Sequence, residues 1–420
     1  MADRLVVVGL GYVGLPLALR ACEVGFDVVG FDVDRKRLAR LRAGQPYVGD
    51  VTAERLTAAL ATGRFLPSAD EDDLRCFDVA VITVPTPLRE DVPDLTAVEG
   101  AATMLGGALR RGACVVLEST TYPGTTEEVV GPLLEKASGL CAGTDFSLGY
   151  SPERIDPGNR DWTLERTPKV VAGVDAASTA VIRRFYERLV EQVVVAAGTR
   201  EAELSKLIEN TFRHLNIALV NELAVFAHDT GVDLWNAIEV AATKPFGFMA
   251  FWPGPGVGGH CLPIDPSYLS WSARTQRGEP LRLVELANEV NRRMPDHVVD
   301  RLSQALAGRD LPVRGRRILL LGVSYKKDSG DVREAPATRI AALLAARGAT
   351  VVAADAYVAA EAFPPRVEAV DCTAEELAAA DAVVLVVDHA GFDLQAVADH
   401  ARYVLDCRNA VPPGANVERL

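Results

Sequence analysis

The segment that most limits what this chain can fold into is Leu5-Val6-Val7-Val8-Gly9-Leu10-Gly11-Tyr12-Val13-Gly14. An apolar run ends on G-x-G-x-x-G, Leu15 to Cys22 continues as a helix, and Val28-Val29-Gly30-Phe31-Asp32 reads as a second strand closed by an acid. Strand, glycine triplet, helix, strand and acid in that order define a dinucleotide-binding α/β unit. Gly9 permits the turn, Gly11 lets a pyrophosphate approach the backbone, and Gly14 lets the helix pack on the strand. The helix N-terminus then faces the phosphates. Asp32 is placed to accept ribose hydroxyls, which favours NAD over NADP because a 2′-phosphate would be repelled. Arg37, five residues on, is the nearby group that pulls the other way.

Up to about residue 200, β-rich runs alternate with helical stretches, the pattern of a doubly wound parallel sheet. The expected strands are 5–9, 27–32, 78–84, 113–118, 146–150, 169–173 and 192–196. Val84-Pro85-Thr86-Pro87 and Ser119-Thr120-Thr121-Tyr122-Pro123-Gly124 follow two of them. Ligands bind at the carboxyl ends of strands in such sheets, so Pro85, Thr86 and Thr120 are expected in the cofactor crevice. From Glu201, Leu204, Leu207, Ile208, Phe212, Leu215, Leu219 and Leu223 recur at helical spacing and predict one helix of about 25 residues. Such a helix is suited to be a dimer core or an inter-domain spine. A second helical stretch runs from Leu281 to Arg293. From Val313, strands at 316–323, 350–355, 382–387 and 403–406 with a helix at 337–346 predict a second α/β domain without a glycine triplet. The expected domains are 1–200, 201–300 and 313–420.

Bulk properties narrow the partners. The 420 residues carry a net charge of −13 with acids and bases interspersed, which argues against nucleic acid as the main partner. No run of about 18 apolar residues and no charged-then-apolar leader is seen, so neither a membrane span nor export is expected. The seven cysteines are odd in number and lack C-x-x-C spacing, and the six histidines are scattered. They read as reduced thiols of a cytoplasmic protein with no metal site.

The chemistry is expected around Pro253-Gly254-Pro255-Gly256-Val257-Gly258-Gly259-His260-Cys261-Leu262-Pro263-Ile264-Asp265-Pro266. Glycines allow close backbone approach and prolines stiffen the flanks. A thiol on such a loop is a candidate for covalent catalysis, or else a buried small hydrophobe. Lys206 and Asn210, spaced i, i+4, share a helix face offset from the leucine stripe. A lysine beside a thiol would favour the thiolate or stabilise an oxyanion, while the bland alternative is a solvated pair.

Motifs in order along nearly the whole chain carry a resemblance: G-x-G-Y-V-G, V-P-T-P, E-S-T-x-x-P-G-T, S-P-E-R-I-x-P-G, A-E-L-S-K-x-x-E-N, P-G-P-G-V-G-G-H-C-x-P-x-D-P and S-Y-K-K-D-x-x-D-x-R-E. The chain resembles the UDP-glucose/GDP-mannose dehydrogenases. The resemblance implies two Rossmann-like doubly wound domains joined by a long central helix in a helical dimerisation region, NAD as cofactor, a UDP-sugar substrate and a homodimer or higher homo-oligomer. It implies a four-electron oxidation of a C6 alcohol to a carboxylate through a thiohemiacetal and thioester on Cys261. Lys206 would then stabilise the oxyanion, Asn210 position it, Asp265 and Thr121 orient water or relay protons, and Glu153 assist as a base. Tyr12 and Val13 would join the cofactor site, and Glu153, Arg154, Lys206, Asn210, Gly258, Tyr325, Lys326 and Arg408 the substrate site. The form Thr243-Lys244-Pro245-Phe246-Gly247-Phe248, with G-G-H-C, is most similar to UDP-N-acetylglucosamine 6-dehydrogenases, with the mannosamine and glucose enzymes as alternatives. It lacks the arginine of an R-F-L segment, whose part Lys244 could take. Rival readings are a two-electron β-hydroxyacid dehydrogenase and a non-catalytic UDP-sugar-binding protein.

Overall fold

The computed structural model describes residues 3–156, 159, 161–259 and 261–420, and of Cys261 the backbone alone. The chain divides into two compact units, Met1–Glu209 with Trp271–Glu279, and Asn210–Ser270 with Pro280–Leu420.

The first unit holds β1 (Arg4–Val8), β2 (Asp27–Phe31), β3 (Phe65–Ser68), β4 (Val79–Ile82), the short hairpin β5 (Leu88–Arg89) and β6 (Val92–Pro93), then β7 (Cys114–Leu117), β8 (Ser147–Tyr150), β9 (Lys169–Gly173) and β10 (Val193–Val195). Its sheet has the order β10-β9-β8-β7-β4-β1-β2-β3. Leu5, Val6 and Val7 are fully buried, as expected of a central strand covered on both faces. All neighbours run parallel except β8 and β9, which pair antiparallel with Gly149 opposite Gly173. The sequence reading missed the short β5–β6 hairpin and one strand of the sheet, β3, whose Pro67 cannot donate to a ladder; β3 lies at the sheet edge, where a proline is tolerated.

The second unit repeats the plan with β11 (Arg317–Leu321), β12 (Thr350–Ala354), β13 (Glu368–Ala369), β14 (Ala382–Leu385), β15 (Val404–Asp406) and β16 (Val417–Arg419), ordered β13-β12-β11-β14-β15-β16 and parallel throughout. Ile318 and Leu320 enter one apolar cluster and Leu319 and Leu321 another, so alternate residues of β11 feed cores on opposite faces. The edge strands β13 and β16 have two and three residues, too few to show a period in sequence.

Three helices differ from expectation. The leucine-rich helix is Thr199–Thr230, 32 residues; Leu207 of its apolar stripe is buried, but much of that stripe is not. Ile208, Phe212, Leu219, Leu223 and Phe226 are exposed, whereas Glu203, Lys206, Asn210, His214 and Asn221 are buried. The glycine-proline segment, read as a loop, ends where a helix starts: Cys261 is the first residue of helix Cys261–Arg277. Pro263 falls in its first turn, where a missing N–H costs nothing, although Pro266 lies inside it. The next helix, Arg282–Ala307, extends well past the expected 281–293.

Candidate active site

At the mouth of the first sheet, Gly9 has φ 96° and its N–H donates to the Phe31 carbonyl at 2.8 Å. A Cβ there would sit 2.9 Å from the Thr83 carbonyl oxygen, and one on Gly14 would sit 1.9 Å from the Gly9 carbonyl oxygen. Both positions therefore require glycine. A Cβ on Gly11 would meet nothing within 4 Å, so this glycine borders open space. Helix Gly14–Glu23 begins without a side-chain cap, so no side chain covers the N-terminal end that would face a pyrophosphate. Val13 lies at the N-cap position and Tyr12 beside it is exposed.

Asp32 is buried; its Oδ2 accepts from the Leu10 N–H at 2.9 Å and its Oδ1 from the Asp34 N–H at 2.8 Å. Arg37 stands 3.6 Å from Asp32 and 3.5 Å from Asp34, so its charge is matched by two acids. That leaves little of it for a 2′-phosphate. The buried Thr86 hydroxyl donates to the Thr120 carbonyl at 2.8 Å, tying the two strand-end loops together, while Pro85 is exposed. An uncapped helix start, a glycine facing open space and an acid at the end of the second strand fit a dinucleotide.

Behind β8 and β9 lies a charged cluster that sequence reading missed. Lys169 Nζ is 3.1 Å from Glu118 and 3.2 Å from Glu153, with all three side chains largely withdrawn from water. Tyr186 donates its hydroxyl to Glu118. Glu153 also accepts from the N–H groups of Arg154 and Ile155, each at 2.6 Å. Burial pushes the Glu118 carboxyl up, and Lys169 only partly offsets this. Burial acts on Glu153 too, yet Lys169, the Ile155 amide and Lys206 outweigh it and hold that carboxyl below its usual range. Burial opposes the Lys169 charge, but its two carboxylates more than compensate. Arg154 reaches the long helix through Glu209 at 2.8 Å. Nothing local announces Lys169, which sits in the apolar run Lys169-Val170-Val171-Ala172-Gly173; only the fold brings the acids to it.

Thr121 is fully buried, its hydroxyl bonded to that of Thr125 and to the Tyr122 carbonyl at 3.3 Å. The following turn is held by Glu203, which accepts from Gly124 N–H at 2.6 Å, Thr126 N–H at 2.8 Å and the Thr126 hydroxyl at 2.6 Å. Glu203, Lys206 and Asn210 thus follow one another along the buried face of one helix.

In the second unit, Asn210 donates to Asp265, which is buried one turn after Cys261. The Cys261 side chain and His260 lie outside the described residues. Gly258 and Gly259 rest on Tyr325: added Cβ atoms would each stand 2.7 Å from that side chain. Arg408 donates from Nε to the Val386 carbonyl at 2.7 Å and lies close to Gly254. Lys326 is half-buried in the loop after β11. Among the described residues no group of histidine, cysteine, aspartate or glutamate side chains could hold a metal ion. No described helix is long and apolar enough to cross a membrane.

A doubly wound sheet with this crevice, and a second α/β unit of the same plan, define the class: a nicotinamide-dinucleotide dehydrogenase with a separate substrate domain. Family models agree, matching the NAD-binding domain of the UDP-glucose/GDP-mannose dehydrogenases over residues 3–190, their central domain over 200–293 and their UDP-binding domain over 319–413. The chain belongs to the UDP-glucose/GDP-mannose dehydrogenase family. It is an NAD-dependent oxidoreductase acting on a CH–OH group of a UDP-sugar. It is 38% identical over 397 residues to a UDP-N-acetyl-D-glucosamine 6-dehydrogenase of Pseudomonas aeruginosa, covering 93% of this chain and 91% of the relative. It is 34% identical over 418 residues to a UDP-N-acetyl-D-mannosamine dehydrogenase of Pyrococcus horikoshii, covering 98% and 97%. The solved structure of a UDP-D-ManNAc dehydrogenase from Pyrococcus horikoshii matches with a TM-score of 0.89 at 33% identity, covering 99% of this chain and 98% of that one.

Proposed function

We propose that this enzyme oxidises C6 of UDP-N-acetylglucosamine from alcohol to carboxylate, with the substrate held covalently on Cys261 between the two oxidations. The observation that carries the reading is the helix beginning at Cys261, which sets the buried Asp265 one turn on, bonded to Asn210, itself one turn from Lys206. Gly9, Gly11, Tyr12, Val13, Gly14, Asp32, Pro85, Thr86 and Thr120 would hold the dinucleotide, and two NAD⁺ molecules in succession would supply the hydride acceptors, one for each two-electron oxidation. The rest is the work of the chain's own side chains. The Cys261 thiolate adds to the aldehyde carbon, and the carbonyl oxygen takes up the negative charge beside the Lys206 ammonium. Loss of hydride from that carbon leaves a thioester. Water then attacks its carbonyl, the Cys261–carbon bond breaks, and the thiolate is restored as the carboxylate leaves. Asn210 fixes Asp265 so that it can take a proton from that water. Thr121, turned toward Thr125, orders the neighbouring turn. Glu153, held ionised by Lys169, is the second base, and Arg154 steadies its strand end. Gly258, Tyr325, Lys326 and Arg408 line the UDP-sugar site of the second unit.

Two features favour N-acetylglucosamine: the Thr243–Phe248 form of the segment before the cysteine, and the higher identity to the glucosamine enzyme, 38% against 34% for the mannosamine one. A second copy of the chain is the natural cover for the bare stripe of helix Thr199–Thr230, where Ile208, Phe212, Leu219 and Phe226 are 55%, 46%, 54% and 62% exposed. The test is NADH yield with limiting UDP-N-acetylglucosamine, UDP-N-acetylmannosamine, UDP-glucose and UDP-galactose, each with excess NAD⁺. Two NADH per UDP-N-acetylglucosamine is expected. A yield of one rejects the four-electron route, and two with another sugar reassigns the substrate. Cys261→Ala is expected to abolish uronate release; release at the wild-type rate rejects the covalent step.

A further inference from the structure

The two units share a plan at the sheet mouth but fill it differently. In the second unit Gly322, with φ 86°, donates its N–H to the Ala354 carbonyl at 2.9 Å, as Gly9 does to Phe31. Asp355, at the end of β12, accepts from the N–H groups of Val323 at 2.8 Å and Ser324 at 3.1 Å, as Asp32 accepts from Leu10. The first crevice is left open at Gly11. In the second, a buried imidazole stands after β14: His389 is 2% exposed, with the Tyr357 ring stacked on it at 4.9 Å.

The protonation of His389 follows from its partners. The Asp328 backbone N–H donates to Nδ1 at 2.9 Å. A backbone amide can only donate, so Nδ1 carries the lone pair and Nε2 the proton. That proton faces the Asp355 carboxylate at 3.0 Å and the Ser324 hydroxyl at 3.3 Å. The Ser324 hydroxyl in turn donates to the Lys326 carbonyl at 3.0 Å. Both sides of one imidazole are therefore bound into the loop from Ser324 to Asp331. The loop needs such a hold, because Asp328 sits at φ 55°, unfavourable for a residue with a side chain. Ala390 N–H to Asp328 at 2.8 Å and Lys327 to Asp388 at 3.0 Å add exposed contacts only.

We propose that His389, neutral and protonated on Nε2, is a positioning residue for the UDP moiety: it fixes the loop that presents Tyr325 and Lys326. The inference rests on the reading of Lys326 as a substrate contact. The same loop is the floor under Gly258 and Gly259, so His389 also steadies the segment that leads to Cys261.

The test is calorimetric titration of the full-length protein with UDP, beside KM for NAD⁺, for wild type, His389→Ala, His389→Asn, His389→Gln and Lys326→Ala. An asparagine amide oxygen reaches the place of Nδ1, whereas glutamine reaches that of Nε2. His389→Ala is expected to weaken UDP binding about tenfold, the scale of losing a buried hydrogen-bond anchor, with KM for NAD⁺ unchanged. His389→Asn should recover most of the loss and His389→Gln little of it. If His389→Ala does not fold, the Asn and Gln variants decide alone, and equal UDP affinity in the two overturns the proposal. Wild-type UDP affinity in His389→Ala with a weakened Lys326→Ala overturns the role of His389 and leaves Lys326 standing. Unchanged affinity in Lys326→Ala overturns the reading of Lys326 and the proposal with it.

Discussion

A lysine in a valine-rich strand ordinarily carries its ammonium to water. Lys169 instead keeps Nζ 3.1 Å from Glu118 and 3.2 Å from Glu153. Removing the cation leaves carboxylates buried without compensation, which costs more than the pair itself contributes. Lys169→Met is therefore expected to lower stability by about 3–5 kcal/mol, read from the denaturant midpoint. Adding Glu118→Gln should recover part of it. Glu203 makes a different prediction. Burial pushes its carboxyl up to about 7 although three donors face it. The folded state thus binds this proton more tightly than the unfolded chain, so stability falls as pH rises from about 4.5 to about 7 and levels off above. Melting temperatures from pH 4.5 to 8 should show this decline in wild type, and the difference from Glu203→Gln should isolate it.

At the scale of elements, helix Thr199–Thr230 carries two stripes. The polar one, Glu203, Lys206, Asn210, His214 and Asn221, is buried, and several of its members are bonded: Glu203 to the Gly124–Thr126 turn, Asn210 to Asp265, and Asn221 to Asn291 at 2.9 Å. Burying polar groups is tolerable only when they are satisfied, and a helix face given over to them marks a site more than a core. The polar residues share the buried face with Leu207, Val220 and Ala224, while Ile208, Phe212, Leu219, Leu223 and Phe226 leave a second apolar stripe bare. If a second copy covers this stripe, as proposed, Leu219→Asp with Phe226→Asp lowers the sedimentation coefficient from that of a dimer to that of a monomer while leaving the circular dichroism unchanged. A dimer that survives both charges would remove this face as the interface.

Over the whole molecule, the same fold unit occurs twice with its crevice used in two ways. Asp32 and Asp355 end equivalent strands, yet the first crevice is open at Gly11 and the second is closed over by His389. The two aspartates should therefore separate the ligands. Asp32→Asn is expected to raise KM for NAD⁺ about tenfold or more, the scale of a hydrogen bond to a charged group, with UDP titration unchanged. Asp355→Asn should do the reverse.

The sequence by itself determined what depends on local order. Gly9, Gly11, Gly14 and Asp32 are legible because strand, turn, helix and acid are adjacent in the chain, and sterics at Gly9 and Gly14 admit no other residue. The second α/β unit was legible from its central strands, buried on both faces and hence continuously apolar. The i, i+4 relation of Lys206 and Asn210 needed only helical periodicity. The glycines and prolines around Cys261 hid the start of a helix, because those residues signal a turn wherever the packed context does not override them. Periodicity locates a stripe on a helix but not which residues meet the rest of the chain, so only tertiary structure showed that Glu203, Lys206, Asn210, His214 and Asn221 are buried while Ile208, Phe212 and Leu219 are not. Lys169 and His389 were invisible for the same reason. Each draws its role from partners tens of residues away, Glu118 and Asp355 among them, and the electrostatics of a buried group are set by what surrounds it in space.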